Sequence, residues 1–217
     1  MGKSFIQSHI ITPLLGGRQA DPFDYMSGVT DFNGELFGAD HLAVEDKFSA
    51  HDTYTRRKFG TRMKELAVNH VQRCHVKGQT ARFLHPKWRV TISLNNEKEN
   101  LNVLPPMDDS IAEKIILFLC GEPTCLPSVS GQEVWGAKIA AELPAFAAFL
   151  DGYAIPEDIQ HPRYGVKEWH DPKLMDHSED TSAEAILWEC LQHDLPAVVT
   201  TGATKWDGTA SDLERLL

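Results

Sequence analysis

The sequence lacks any apolar run approaching the roughly 20 residues that a membrane-spanning helix needs. Its beginning also lacks the long apolar core of a secretory leader. Cysteine is scarce: the four residues Cys74, Cys120, Cys125 and Cys190 are scattered through 217 positions. That excludes a disulfide-dense scaffold and suits a reducing compartment, so a cytoplasmic protein is expected. Cys120 and Cys125 lie close enough to share a metal, but no second ligand pair is near them, and they read as ordinary thiols. Net positive charge is lacking too. The chain carries −10 at pH 7, which argues against a generic nucleic-acid-binding surface. Internal repeats and low-complexity tracts are missing.

What is present is an ordinary soluble composition, 42% hydrophobic and 24% charged. The length allows one sizeable core, or one domain with a small appendage. The charge is unevenly placed. From Arg56 to Arg89 there are ten Lys or Arg and a single acid, Glu65, a local +9, so the remainder carries −19. A basic surface on an acidic body suits a polyanionic partner, or acids elsewhere in the chain neutralise it.

Periodicity predicts a helix over Phe5–Leu15, ended by Pro13 and Gly16-Gly17, and a turn-rich stretch over Asp21–Gly38. His41–Val44 reads as a short buried strand ending in Glu45 and Asp46. Thr53–Asn69 reads as a basic helix. His70–Val76 and Thr80–Leu84 form a hairpin candidate with Lys77 and Gly78 at its tip. Trp88–Leu94 is a strand ending at Asn95-Asn96, and Ile115–Leu119 is another. Gln132–Leu150 is a long Ala-rich helix with Pro144 as a kink or break. Ile155–Asp180 reads as irregular, and Ser182–His193 and Ser211–Leu217 as further helices. His161, His170 and His177 share the irregular segment, where surface positions are favoured over a metal site. Trp169 and Trp188 read as packing anchors.

Gly2-Lys3-Ser4 matches the back half of a phosphate-binding loop, G-x-x-x-x-G-K-[ST]. A helix start with a lysine supplies N–H donors and a cation for phosphates, and the Ser4 hydroxyl suits Mg²⁺. Nucleotide hydrolysis also needs carboxylates at a strand end, which Glu45 and Asp46 supply. One would orient the metal's water shell while the other polarises the attacking water. A polar sensor of the terminal phosphate on a neighbouring strand end is supplied by Asn95. In a parallel α/β sheet such ends converge on one crevice.

The order of these pieces, together with Tyr25–Asp46 (YMSGVTDFNGELFGADHLAVED), Lys58–Thr80 (KFGTRMKELAVNHVQRCHVKGQT), Trp88–Phe118 (WRVTISLNNEKENLNVLPPMDDSIAEKIILF) and Glu142–Tyr153 (ELPAFAAFLDGY), resembles the helicase core of phage- and plasmid-type primase–helicases. These are superfamily 3 helicases among the AAA+ ATPases. The resemblance implies an α/β, AAA+/RecA-like three-layer core over 1–121, incomplete at its N-terminus. A helical lid over 122–203 and the start of a winged-helix element over 204–217 would follow, both ends looking cut. It implies ATP and Mg²⁺ as cofactors. Gly2, Lys3 and Ser4 would hold the nucleotide, Ser4 and Glu45 the metal, and Glu45, Asp46 and Asn95 would act in hydrolysis. Arg73, His75, Lys77 and Gly78 would meet single-stranded DNA in the channel of a homo-oligomeric ring, usually a hexamer. Lys114 stands where the family places its arginine finger. A lysine lacks the planar two-point contact, so the role is altered or passes to a residue such as Arg89. The residues that precede Gly-Lys-Ser in the family are missing, which implies a weak or inactive ATPase. The alternative is a degenerate remnant that binds single-stranded DNA or assembles with partners without hydrolysing ATP.

Overall fold

The computed structural model describes residues 2–45, 53–96, 112–121 and 132–175. The chain divides into two compact units, Met1–Asp171 and Pro172–Leu217. Nearly all the described residues belong to the first. Asp46, Cys125, His177, Trp188, the two C-terminal helices and the winged-helix segment lie outside the described residues.

The fold is mixed α/β. Its organising feature is a three-stranded parallel sheet in the order β1 (Gln19–Ala20), β2 (His41–Glu45), β5 (Arg89–Ser93). His41 pairs with Arg89 and Glu45 with Ser93, so the two longer strands run level along their whole length. The alternation of side chains then sorts the faces. Leu42 and Val44 point into the apolar core with Met26, Leu36, Phe59, Met63, Leu66 and Trp88, and Val90 and Ile92 pack against it. His41 and Thr91 face the other way, towards the first helix, and bond to each other at 2.8 Å. A strand buried on both faces reads as a continuous apolar run, as His41–Val44 does apart from its histidine.

Helix α1 covers the polar face in three geometries: α over Lys3–Ile6, a π-turn over Gln7–Ile11, and α again over Thr12–Leu15. Pro13 does not end this helix, contrary to the sequence expectation. It follows directly on the π-turn, and the chain keeps right-handed helical dihedrals at Ile11 and Thr12 before it and runs on to Leu15. The preceding π-turn closes with the Thr12 N–H donating to the Gln7 carbonyl. The stop is Gly16, at φ 128, followed by Gly17, at φ 90.

The turn-rich stretch holds a short helix, α2 (Phe23–Ser27), and a 3-10 turn over Gly34–Gly38. Helix α3 (Thr53–Val68) packs on α2 through the core, with Phe59 against Phe23. Trp88 closes the core's end by donating its indole N–H to the Leu66 carbonyl at 3.0 Å. The hairpin forms where expected, from β3 (Gln72–Cys74) and antiparallel β4 (Arg82–Leu84).

Farther along, β6 (Ile116–Leu117) pairs in parallel with β9 (Trp169–His170). Helix α4 (Gln132–Asp151) lies between them in sequence and packs near the π-turn, with Gly136 close to His9. Pro144 does not break α4. Ala140, whose carbonyl loses its donor, is exposed to water. The segment expected to be irregular contains β9 and a second small ladder, β7 (Gln160–His161) with β8 (Gly165–Val166). Trp169 is 54% exposed and so is not the packing anchor expected of it.

Candidate functional site

Gly2 enters α1 at φ 106, in the left-handed region, and its carbonyl accepts the Ile6 N–H at 3.0 Å. A Cβ there would meet nothing within 4 Å, so backbone conformation and not space favours glycine. Lys3 and Ser4 occupy the first turn. The Lys3 ammonium donates to the Asn95 Oδ1 at 2.9 Å and to the Leu94 carbonyl. Residues 91 positions apart are thus joined at the C-terminal end of the sheet. Glu45 ends β2 at the same level and accepts from the Ser8 hydroxyl at 3.3 Å.

Lys3, Glu45 and Asn95 therefore lie where the first helix meets the ends of two adjacent parallel strands, with Ser4 next to Lys3 in the helix's first turn. That is where the crevice of an open α/β sheet lies. Glu45 and the Ser4 hydroxyl are hard oxygen donors of the kind Mg²⁺ takes beside substrate phosphates. Among the described residues no group of three or more His, Cys, Asp or Glu forms a metal cluster.

The support beneath this rim is polar and buried. The Gln7 amide donates to the Thr91 hydroxyl at 2.7 Å and reaches the Val44 carbonyl at 3.5 Å. The Gln7 Oε1 is buried with no hydrogen-bond partner. Thr12 bonds to the Gln7 carbonyl, the Gln19 side chain and His41 Nδ1, at 2.9, 2.8 and 2.7 Å. The π-turn aims these side chains at the sheet, and such turns recur at functional sites.

Lys114 sits elsewhere. It lies in the turn closed by the Ile115 N–H on the Ala112 carbonyl, just ahead of β6 in a different sheet. Arg89 opens β5, at the end opposite Asn95, and bonds to the Trp88 carbonyl at 3.2 Å.

The hairpin is a second candidate surface. Gln79 N–H donates to the Val76 carbonyl at 3.1 Å, closing a turn with Lys77 and Gly78 at its centre. Gly78 has φ 76, the conformation such a turn asks of its third residue. Lys77 and Arg73 are exposed. His75 is not at the tip; its ring lies 4.8 Å from that of Phe32. Buried Asn33 grips the hairpin's first strand. Its amide donates to the Arg73 carbonyl at 2.9 Å and its Oδ1 accepts the His75 N–H at 2.7 Å, while its own N–H donates to the His75 carbonyl at 3.1 Å.

Some of the basic window is neutralised locally. The Arg62 guanidinium stacks over Tyr25, bonds to the Tyr25 and Thr30 carbonyls and pairs with Asp31. That bond and charge hold the Asp31 carboxyl below its usual pKa. Comparison with known protein families, curated proteins and solved structures finds no match to this chain.

Sequence reasoning missed Gln7, Ser8, Thr91 and Asn33. Thr91 had only the signal of a polar residue between Val90 and Ile92 in an apolar strand. Asn33 had only an Asn-Gly pair, which reads as a turn.

Proposed function

We propose that this chain is the ATP-binding and DNA-contacting core of a superfamily 3-type helicase, an AAA+ motor that moves along single-stranded DNA as a ring. The observation that carries this reading is the Lys3–Asn95 contact beside Glu45, at the C-terminal rim of a parallel sheet. On this reading Lys3 neutralises the outer phosphates and Asn95 senses the terminal one. Of the Glu45 and Asp46 pair, one would orient the metal's water shell and the other would polarise the attacking water. Ser4 and Glu45 would hold a magnesium ion, which supplies charge neutralisation at the phosphates when bound. Lys3 must then leave Leu94 and Asn95, at least in part, to reach the nucleotide.

The test is a thermal melt with Mg-ATP. At a nucleotide concentration tenfold above its dissociation constant, binding adds about 1.4 kcal/mol. For a domain of this size that raises Tm by about 3–6 °C. The expected result is such a rise in the parent chain and none in Lys3→Ala. No rise up to millimolar Mg-ATP overturns the motor reading. One observation favours a second reading in that event, a DNA-binding or assembly module without hydrolysis: Asn33 anchors the basic hairpin through bonds that do not involve the Lys3 site.

A further inference from the structure

The hairpin carries one feature that a purely electrostatic contact does not need. Phe83, on β4, is 73% exposed. It stands directly opposite Arg73 in the antiparallel ladder. Residues opposite one another point to the same face, about 4.5–5.5 Å apart at Cβ. The other face is the one that docks, because Gln72 and Cys74 are buried. Arg73 and Phe83 are therefore outward neighbours, a cation beside an unused aromatic ring.

Charge points to the occupant. From His70 to Leu84 the ribbon holds Arg73, Lys77 and Arg82 and no Asp or Glu, although the whole chain is at −10. A ribbon that excludes acids within an acidic protein complements a polyanion. A polyanion that also rewards an exposed ring is one with unstacked bases. Duplex DNA hides its base faces, whereas a single strand offers them at each nucleotide.

We infer that Phe83 is a base-stacking residue and that Arg73 and Phe83 together form a one-nucleotide platform on the flank of the hairpin, with the ring taking the base and the guanidinium the adjacent phosphate. This rests on the reading that the hairpin meets single-stranded DNA. It adds a residue and a mode of contact which that reading does not supply. Because every base has a π-face, the platform is tolerant of sequence.

The experiment is fluorescence anisotropy of the full chain with labelled oligo-dT and with an abasic strand of equal length, across a salt series. Phe83→Ala is expected to weaken oligo-dT binding by about 5- to 150-fold, with Tm and salt slope unchanged. It should have no effect on the abasic strand. Phe83→Trp should restore binding. Arg73→Ala should instead weaken both strands and reduce the salt slope by about 0.7. Equal binding of Phe83→Ala and parent to oligo-dT overturns the platform and leaves the DNA-binding reading standing. Equal weakening on both strands overturns it as well, since stacking is then not the source. Failure of the parent to bind either strand overturns the platform and the DNA contact together, while the Mg-ATP melt still judges the Lys3 site.

Discussion

His41 is 0% exposed and bonded through both ring nitrogens, to Thr12 and Thr91. One tautomer serves the network best. With the proton on Nδ1, the ring donates to Thr12, whose hydroxyl can then donate to the Gln7 carbonyl or to Gln19. Nε2 accepts from Thr91, whose oxygen still accepts the Gln7 amide. The opposite tautomer leaves the Thr91 proton without a partner among these groups. Burial pushes the His41 pKa below its ordinary value, so the folded state holds the ring neutral. The unfolded chain then binds more protons, and stability rises with pH through this window. The His41 contribution is whole above the unfolded value of about 6.5 and is lost as pH falls from there through the folded value. Urea titrations between pH 5 and 7.5 should show the parent losing stability on acidification. His41→Gln should start about 1–3 kcal/mol lower at neutral pH and show a shallower dependence. Parallel curves for the two proteins would refute the assignment.

Among elements, the hairpin depends most on a single side chain outside itself. Its ladder is three residue pairs long, and isolated two-stranded ribbons are marginal in water. Asn33 adds three bonds to its first strand, at Arg73 and His75. Asn33→Ala should cost about 1–3 kcal/mol, because the Arg73 carbonyl and the His75 N–H lose their partners. Hydrogen exchange should quicken over residues 72–76 while β2 keeps its protection; unchanged exchange would show that the ladder holds itself. The hairpin was readable in the sequence because Lys-Gly sits between two β-compatible runs. β2 and β5 were readable because apolar runs end abruptly in Glu45 and Asn95. The same strand ends brought the rim residues to notice, and Lys3 came from the Gly-Lys-Ser match. The Asn33 clamp, the Gln7–Thr91 bond and the β6–β9 pairing were not readable, since each joins residues far apart in sequence. β1, at two residues, is too short to show any period. Pro13 misled because a proline's effect depends on the turn it sits in, and of the two outcomes open for Pro144 the break does not occur.

At the scale of the whole molecule, the described chain is well packed around β2 and sparsely covered around α4. Phe149 is 60% exposed on α4, and its ring lies near those of Phe146 and Tyr153. From Leu143 to Leu150 the helix carries no charged residue, and an apolar stretch of this kind is normally buried. Such a contiguous apolar surface should bind anilinonaphthalene sulfonate under native conditions. Phe149→Glu should lower that fluorescence without lowering Tm. A parent chain that leaves the dye dark would mean the surface is covered in solution. The net charge of −10 opposes non-specific clumping through this patch, and that protection should fade towards the isoelectric point near 5.4.

Asn33 lies two residues beyond Asp31, which pairs with Arg62 of α3. A pull on Lys77 would therefore pass through His75 into Asn33 and on into the body of the protein, much as a crank passes load to its shaft. Cutting that coupling should leave the ribbon's charges in place but unable to transmit force.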